Sequence, residues 1–263
     1  MLLPIFQVDA FTSELFAGNP AAVMPLDAWL EDSLLQNIAS ENNLSETAYL
    51  VKNDEGYDLR WFTPGQEVDL CGHATLAAAH ALFEHLGHGG DVVRFHTRSG
   101  ELVVTRSTDG LTLDFPASEA EPVDVDVAIC NALGATASEA LVVAGNPGKL
   151  LYVYEFEEDV AGLSPDINAL LQASSHCVIA SAPGNDCDVV SRFFAPQVGI
   201  DEDPVTGSAH CTLVPYWSKR LGLERLACRQ ISARGGDLDV RLADGRVYMT
   251  GRGVTFMQGS VTL

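Results

Sequence analysis

Three ionisable side chains stand at positions where proton transfer or anion binding is expected. Glu46 opens a predicted strand, His73 follows Gly72 at the start of a predicted helix, and Asp203 precedes Pro204 just ahead of a second predicted helix. Glu46 could act as a general base whose pKa is raised by apolar surroundings. His73 is expected to have a lowered pKa, because the positive end of a helix disfavours an imidazolium. Together these residues predict proton transfer on a small molecule.

The two predicted helix starts supply the matching binding groups. Backbone N–H groups at Gly72–His73 and at Gly207–Ser208 have no partner inside their helices and lie at positive helix ends. Two such ends facing each other across a cleft would bind a small anion such as a carboxylate. The proline after Asp203 fixes its backbone and directs the carboxylate towards the same site.

Each of these residues also has an ordinary structural interpretation. A glycine at a helix start is a common cap, and acidic residues before a helix match its dipole. A glutamate after a turn, such as Glu46, is often exposed to solvent. The duplication of the helix starts favours the ligand-binding interpretation over these alternatives.

The elements that carry these residues occur twice in the sequence. Four motifs recur in the same order, with a spacing that drifts only slightly, which is typical of small loop insertions. They are Gly-Asn-Pro at 18–20 and 145–147, Arg-aromatic-Phe-x-Pro at 60–64 and 192–196, Gly-x-Ala at 72–74 and 207–209, and Leu-Gly at 86–87 and 221–222. The repeat predicts two similar lobes.

Hydrophobic periodicity predicts an α+β fold in each lobe. A helix is expected over 28–41 behind Asp27 as its N-cap, and the helix at 74–86 is apolar nearly all round, which is typical of a helix enclosed by strands. A second central helix is expected over 209–221, kinked by Pro215. The acidic, proline-rich stretch at 116–126 predicts the link between lobes. The expected domains are 1–117 and 118–263, with about the last ten residues packing back on the first lobe.

Composition narrows the classes of partner. The chain has 263 residues, a formal net charge of -21 and few lysines, which argues against nucleic-acid binding. No apolar run reaches the roughly 18 residues that would cross a bilayer, and no basic flank opens the chain. A cytoplasmic protein without nucleic-acid or membrane partners is expected. The acidity fits a solvated surface or a high-salt habitat.

Cysteine and histidine spacing gives no sign of a metal site. The six cysteines form no Cys-x-x-Cys pair, and most are expected to be reduced thiols in cores, Cys177 within a buried strand. His80, His85 and His88 cluster near a helix end, where histidines more often suit the helix dipole than bind metal. This spacing therefore predicts no metal site.

Several of these motifs resemble the signatures of the phenazine biosynthesis PhzF-like proteins. The matching stretches are 7–11, 16–20, 42–48, 60–64, 69–75 and 203–210, so the resemblance spans the chain. It implies the diaminopimelate epimerase fold. In that fold two pseudo-symmetric lobes each wrap a central helix in a curved, mostly antiparallel β-sheet, and the active site lies in the cleft between them. The resemblance also implies a homodimer.

The resemblance further implies a cofactor-independent isomerase acting on a small, cyclic carboxylate. It would be similar to trans-2,3-dihydro-3-hydroxyanthranilate isomerase, with Glu46 moving a proton between carbons. His73 and Asp203 would assist proton transfer as the other catalytic residues. Substrate binding would involve Asn19, Gly72, His73, Gly207 and Ser208.

Two other functions remain open on the sequence. Cys71 before Gly72 resembles the first thiol motif of proline racemases, but Thr206 occupies the second thiol position, and its hydroxyl is too weak an acid to serve as the partner base. A dehydratase using Cys71 alone is still possible. A protein that binds a small acid without catalysis is the third alternative.

Overall fold

A computed structural model describes residues 1–143 and 148–263 and confirms the α+β fold class. The predicted Gly-Asn-Pro repeat at 145–147 lies outside the described residues. The chain divides into a first unit, Met1–Phe115 with Tyr248–Leu263, and a second unit, Pro116–Val247. Among the described residues, no helix combines the length and apolar character needed to cross a membrane.

The first unit is a mostly antiparallel sheet with two helices. Its elements are β1 (Leu2–Ala10), β2 (Asn19–Leu26), α1 (Asp32–Asn42), β3 (Glu46–Lys52), β4 (Tyr57–Phe62), β5 (Glu67–Val68), α2 (Gly72–Glu84), β6 (Val92–Thr97), β7 (Gly100–Arg106), β8 (Leu111–Pro116) and β18 (Gly253–Thr262). Strand β1 lies between β2 and β18, antiparallel to both. Strand β2 pairs in parallel with β3, and β3 pairs antiparallel with β4. Strand β4 pairs in parallel with β6, which pairs antiparallel with β7, and β7 pairs antiparallel with β8.

Helix α2 is the central helix of the first unit. Ten of its side chains are buried, and it contacts β1, β2, β3 and β18. Its small, apolar sequence permits this, because alanines allow strands to approach on several faces. The predicted enclosed helix is therefore present, although it begins at Gly72 rather than at residue 74.

Helix α1 begins later than predicted. It starts at Asp32 behind Glu31, so the predicted start at residue 28 and the N-cap Asp27 are wrong. Trp29 and Leu30 instead pack against the apolar cluster around Leu35 before the helix begins, and this tertiary contact outweighs the local signal. Asn43 in the left-handed conformation ends the helix.

The second unit repeats this arrangement. Its elements are β9 (Glu121–Val123), α3 (Val127–Leu133), β10 (Glu139–Val143), β11 (Lys149–Val153), α4 (Glu157–Ala161), α5 (Ile167–Ala173), β12 (Cys177–Pro183), β13 (Val189–Ala195), a 3-10 turn (Pro196–Val198), β14 (Ile200–Asp203), α6 (Gly207–Leu221), β15 (Arg225–Gln230) and β16 (Gly236–Ala243), followed by β17 (Arg246–Gly251), which runs across the unit boundary. Strand β11 runs parallel to β12, β12 antiparallel to β13, β13 parallel to β15, and β15 antiparallel to β16. The sequence repeat therefore corresponds to a repeated strand order.

Pro215 lies inside α6, the central helix of the second unit. A proline has no N–H, so the carbonyl of Cys211 one turn earlier loses its intrahelical donor. The backbone N–H of Ser118 donates to that carbonyl at 2.9 Å. The proline thus creates the acceptor that fixes the segment entering the second unit.

The repeated Arg-aromatic-Phe motif forms a matching ion pair in each unit. Arg60 donates from Nε and Nη2 to the Glu67 carboxylate at 2.7 and 2.8 Å, and Arg192 donates likewise to Glu202 at 2.8 and 2.9 Å. Each guanidinium also lies over the phenylalanine two residues later, at 5.1 and 5.0 Å. This motif is a structural element of each sheet.

The end of the chain belongs to the first unit over a longer stretch than expected. The sequence assigned 118–263 to the second lobe, with about ten residues returning, whereas Tyr248–Leu263 belongs to the first unit. Strand β18 pairs with β1 from Gly253 opposite Ala10 to Thr262 opposite Leu2. This ladder of backbone hydrogen bonds retains the segment there.

Candidate active site

Parallel pairing brings the starts of two strands together in the first unit. Strand β2 begins at Asn19 and β3 begins at Glu46, with Ala21 paired to Glu46. Helix α2 contacts both strands and begins at Gly72, so His73 lies in its first turn. Four predicted site residues, Asn19, Glu46, Gly72 and His73, therefore lie close together.

The Glu46 carboxylate contacts the His73 imidazole directly. Glu46 Oε2 lies 2.8 Å from His73 Nε2, and the two residues are only 8% and 4% exposed. The contact is poorly aligned for a hydrogen bond, and Oε2 accepts no other hydrogen bond from the described residues. Glu46 therefore combines a close ionic partner with an oxygen that can still accept a proton.

Asn19 fixes the orientation of the imidazole. Its Nδ2 lies 3.1 Å from His73 Nδ1, and the Ser45 hydroxyl donates to Asn19 Oδ1 at 3.0 Å. An amide nitrogen only donates, so Nδ1 accepts from Asn19 in the neutral ring, whereas in the imidazolium the Asn19 amide presents its oxygen to Nδ1 instead. In both protonation states Nε2 carries a proton beside Glu46.

The pKa of His73 is raised, so the expected lowering by the helix dipole is wrong. Burial favours a lower pKa, but the Glu46 carboxylate in contact holds the pKa of His73 well above its ordinary value. A carboxylate in direct contact outweighs the partial charge of a helix end. The structure favours a His73 imidazolium beside a Glu46 carboxylate.

Cys71 is the N-cap residue of α2 and lies beside the same imidazole. Its Sγ is 3.5 Å from His73 Nδ1. Burial, reinforced by the Glu46 charge, raises the pKa of the Cys71 thiol to about 11. At neutral pH it is a thiol rather than the thiolate that a nucleophile or base requires.

Glu46, Cys71 and His73 could also hold a metal ion, since their ligand atoms lie within 4.8 Å of one another. The arrangement fits a metal poorly on two counts. A metal would require a deprotonated Cys71, and it would require an Nε2 lone pair, whereas Asn19 places the ring proton on Nε2. The absence of a metal remains a prediction.

In the second unit the predicted site residues lie around the start of α6. Gly207 and Ser208 form the first turn, and Thr206 is the N-cap. The Thr206 hydroxyl donates to Asp203 Oδ2 at 2.5 Å, across Pro204 and Val205, and Asp203 is 7% exposed. Asp203, Gly207 and Ser208 thus form one compact group within this unit.

Lys149 and Cys177 lie beside the same helix start. Lys149 Nζ donates to the Ser208 carbonyl at 3.3 Å, and burial lowers the pKa of this lysine. Burial has the opposite effect on the Cys177 thiol and raises its pKa. The charges of Lys149 and Asp203 also act on this thiol. Cys177 is buried in β12, as its apolar surroundings in the sequence predicted.

Three residues around these sites were not predicted from the sequence, although a sequence pattern marks two of them. Ser45 lies inside the 42–48 motif, and Gln230 is a polar residue at an inward position of β15, whose residues alternate between exposed and buried. Lys149 gave no signal, because only the folded chain places it next to Ser208.

Comparison with known proteins gives one family. Residues 8–259 match the family described as phenazine biosynthesis-like protein. An uncharacterised isomerase of Pseudomonas aeruginosa is 50% identical over 263 residues, covering 100% of both chains. A PhzF-family crystal structure from Enterococcus faecalis matches with a TM-score of 0.96 and 44% identity over 100% of both chains. A predicted epimerase of Pseudomonas aeruginosa shares the fold, with a TM-score of 0.75, 23% identity and 99% of both chains covered.

The fold is epimerase-like, and the class of protein that the relatives define is that of isomerases. Within that class, the chain belongs to the phenazine biosynthesis-like, or PhzF, family of isomerases. The resemblance seen in the sequence is thereby confirmed.

Proposed function

We propose that this protein moves a proton between carbons of a small cyclic carboxylate, with Glu46 as the single acid/base and without a cofactor. The reaction would be similar to that of trans-2,3-dihydro-3-hydroxyanthranilate isomerase. The observation that carries the proposal is the buried Glu46 oxygen, 2.8 Å from His73 Nε2 and without an aligned hydrogen bond.

The His73 imidazolium suits Glu46 to its role as base. The cation lies against the carboxylate that would take a proton from carbon and balances its charge in the buried site. When Glu46 returns that proton to a second carbon, the double bond shifts and the enzyme recovers its starting state. Asn19 holds the imidazole so that its Nε2 proton faces Glu46 throughout.

The N–H groups at Gly72 and Gly207 and the Ser208 side chain would bind the substrate carboxylate and neighbouring polar groups. Helix N-termini favour such anions because their first N–H groups have no intrahelical partner. Asp203, fixed by Thr206, would assist proton transfer from the second unit. A cytoplasmic homodimer remains a prediction from the sequence.

The test is proton exchange in D2O, monitored by NMR. With trans-2,3-dihydro-3-hydroxyanthranilate and a panel of small cyclic carboxylates, the wild-type protein should incorporate deuterium or shift a double bond. Glu46→Gln should slow this by at least about 100-fold, because a general acid/base contributes about that much or more. Glu41→Gln, an exposed glutamate on α1, is the matched control and should leave the rate unchanged.

Two outcomes would contradict the proposal. Glu46→Gln turning over at the wild-type rate would exclude Glu46 as the acid/base. Tight binding of these acids without any exchange of carbon-bound hydrogen would favour a binding protein instead.

A racemase or dehydratase using Cys71 is the second candidate, and its specific support is the position of Cys71 beside His73. The raised pKa of the thiol opposes it. Loss of turnover in Cys71→Ala together with full turnover in Glu46→Gln would establish this mechanism.

A further inference from the structure

Gln230 is a buried polar residue next to Asp203. It ends β15 at an inward position, and its side chain is 0% exposed. A buried amide with unpaired hydrogen-bonding groups would destabilise the fold, so its partners define its role. Within the described part of the chain, the hydrogen bonds of its side chain go to Asp203 and Thr206.

Two backbone groups fix which way the Gln230 amide faces. Its Oε1 accepts the Thr206 backbone N–H at 2.8 Å, and its Nε2 donates to the Asp203 carbonyl at 2.6 Å. A backbone N–H can only donate and a carbonyl can only accept, so the reverse orientation would lose both hydrogen bonds. The positions of the amide oxygen and nitrogen are therefore determined.

This orientation also fixes the Thr206 hydroxyl. Gln230 Nε2 lies 3.3 Å from Thr206 Oγ1 and offers it a second N–H. The hydroxyl accepts there, so its own proton is directed elsewhere, to Asp203 Oδ2 at 2.5 Å. A hydroxyl that must donate stabilises a carboxylate over a carboxylic acid.

We propose that Gln230 is a positioning residue for Asp203, acting through Thr206. It holds the backbone on both sides of Pro204 and orients the Thr206 hydroxyl, so that the Asp203 carboxylate stays fixed and ionised at the start of α6. The relevance of this to turnover rests on the function proposed above, whereas the effect on Asp203 does not.

The neighbouring titratable groups in the second unit leave this mechanism intact. His210 on α6 has its Nδ1 2.9 Å from the Thr206 carbonyl, and burial lowers its pKa to about 4. Burial raises the pKa of Cys177 on β12, so both groups are neutral near pH 7. Glu202 on β14 is paired with Arg192.

The direct test is the titration of the Asp203 side-chain carboxyl carbon, followed by 13C NMR. In Gln230→Met, which keeps the volume but removes the amide, the midpoint should lie about one pH unit higher than in the wild type. Thr206→Val, which removes the donor itself, should raise it by at least as much. Gln197→Met is the matched control, since Gln197 in the same unit donates to the Ser174 carbonyl instead, and it should leave the midpoint unchanged.

An unchanged Asp203 midpoint in folded Gln230→Met would overturn the inference. Should that variant fail to fold, Gln230→Asn replaces it, because it is neutral and its shorter side chain cannot make all of the hydrogen bonds to Thr206 and the Asp203 carbonyl. A higher midpoint in Gln230→Asn supports the inference, and a wild-type midpoint overturns it.

Turnover separates this inference from the proposed function. If wild-type protein exchanges carbon-bound hydrogen of trans-2,3-dihydro-3-hydroxyanthranilate, Gln230→Met should lower kcat about tenfold and move the acidic limb of the pH profile upwards. If the wild type performs no exchange that depends on Glu46, the proposed function fails, while the NMR titration still decides the role of Gln230.

Discussion

The starts of α2 and α6 share a backbone design but differ in their titratable groups. Each helix begins at a glycine, and in each the fourth helical residue bonds back to the carbonyl of the N-cap residue. In α2 this residue is Thr75, which donates to the Cys71 carbonyl at 2.6 Å; in α6 it is His210, with Nδ1 2.9 Å from the Thr206 carbonyl. Duplication kept the hydrogen-bonding plan while the side chains diverged.

Strand register identifies the counterpart of Glu46 in the second unit. Thr47 pairs with Phe62 in the first unit, and Val178 pairs with Phe194 in the second. Since the Arg-aromatic-Phe motif aligns Phe62 with Phe194, Glu46 aligns with Cys177. At these aligned positions the first unit presents a carboxylate in contact with an imidazole, whereas the second presents the Cys177 thiol, whose pKa burial raises, and Ser208. The Glu46–His73 pair therefore has no counterpart at the aligned positions of the second unit.

The largest loss of turnover is expected from a change at His73. Changing it to Ser, the residue at the aligned position of α6, removes the cation beside Glu46, and turnover should fall by about 100-fold. Exchange in D2O measures this, with His85→Ser at the far end of α2 as the control. A His73→Ser variant with wild-type turnover would show that Glu46 acts without its partner.

The next effect is a pH dependence of the free energy of unfolding. It is expected from His210, which can be protonated, and not from Thr75 at the aligned position of α2. Burial lowers the folded-state pKa of His210 to about 4, below the unfolded value of about 6.5. Its contribution to stability is therefore complete above pH 6.5 and is lost as the pH falls towards 4, by about 3 kcal/mol in total. Denaturant unfolding at several pH values should show this loss in the wild type, and His210→Thr should not show it.

His73 is expected to behave with the opposite sign. Its folded-state pKa is raised, so its contribution is complete below pH 6.5 and is lost as the pH rises through the folded value. An equal pH dependence of unfolding in His73→Ser and His210→Thr would contradict this contrast.

A smaller difference is expected between the two arginine motifs. Arg192 donates to the Val160 and Leu163 carbonyls as well as to Glu202, whereas the additional partner of Arg60 is the exposed Asp32. Arg192→Met should lower the free energy of unfolding by about 3 kcal/mol, and Arg60→Met should lower it by about 2 kcal/mol. Backbone carbonyls left without a donor inside the protein destabilise it more than an exposed carboxylate that water can solvate. Urea unfolding of both variants measures the difference. A larger loss of unfolding free energy in Arg60→Met than in Arg192→Met would contradict this prediction.

The smallest effect is expected at Cys71. Cys71→Ala should keep turnover within about threefold of the wild type, because a thiol with a pKa of about 11 contributes no base at neutral pH. Steady-state exchange at pH 7 measures it, and Cys130→Ala, a buried thiol on α3, serves as the control. A loss of turnover confined to Cys71→Ala would restore the thiol mechanism.

Sequence patterns alone predict the duplicated fold, central helices that open at the two Gly-x-Ala motifs, and Glu46 at the beginning of a strand. These features depend on local patterns: turn residues, apolar periodicity and repeated motifs. The same reasoning located α1 but misplaced its start, since Trp29 and Leu30 pack outside the helix.

The electrostatics of the site depend on contacts that form only in the folded chain. The sequence placed His73 at a positive helix end and predicted a lowered pKa, whereas the folded chain puts Glu46 at 2.8 Å and raises it. Gln230 likewise acquires its role only when β15 brings it to Asp203 and Thr206. Direct contacts between residues far apart in the chain set these properties, because electrostatic and hydrogen-bond energies depend on distances that no local pattern encodes.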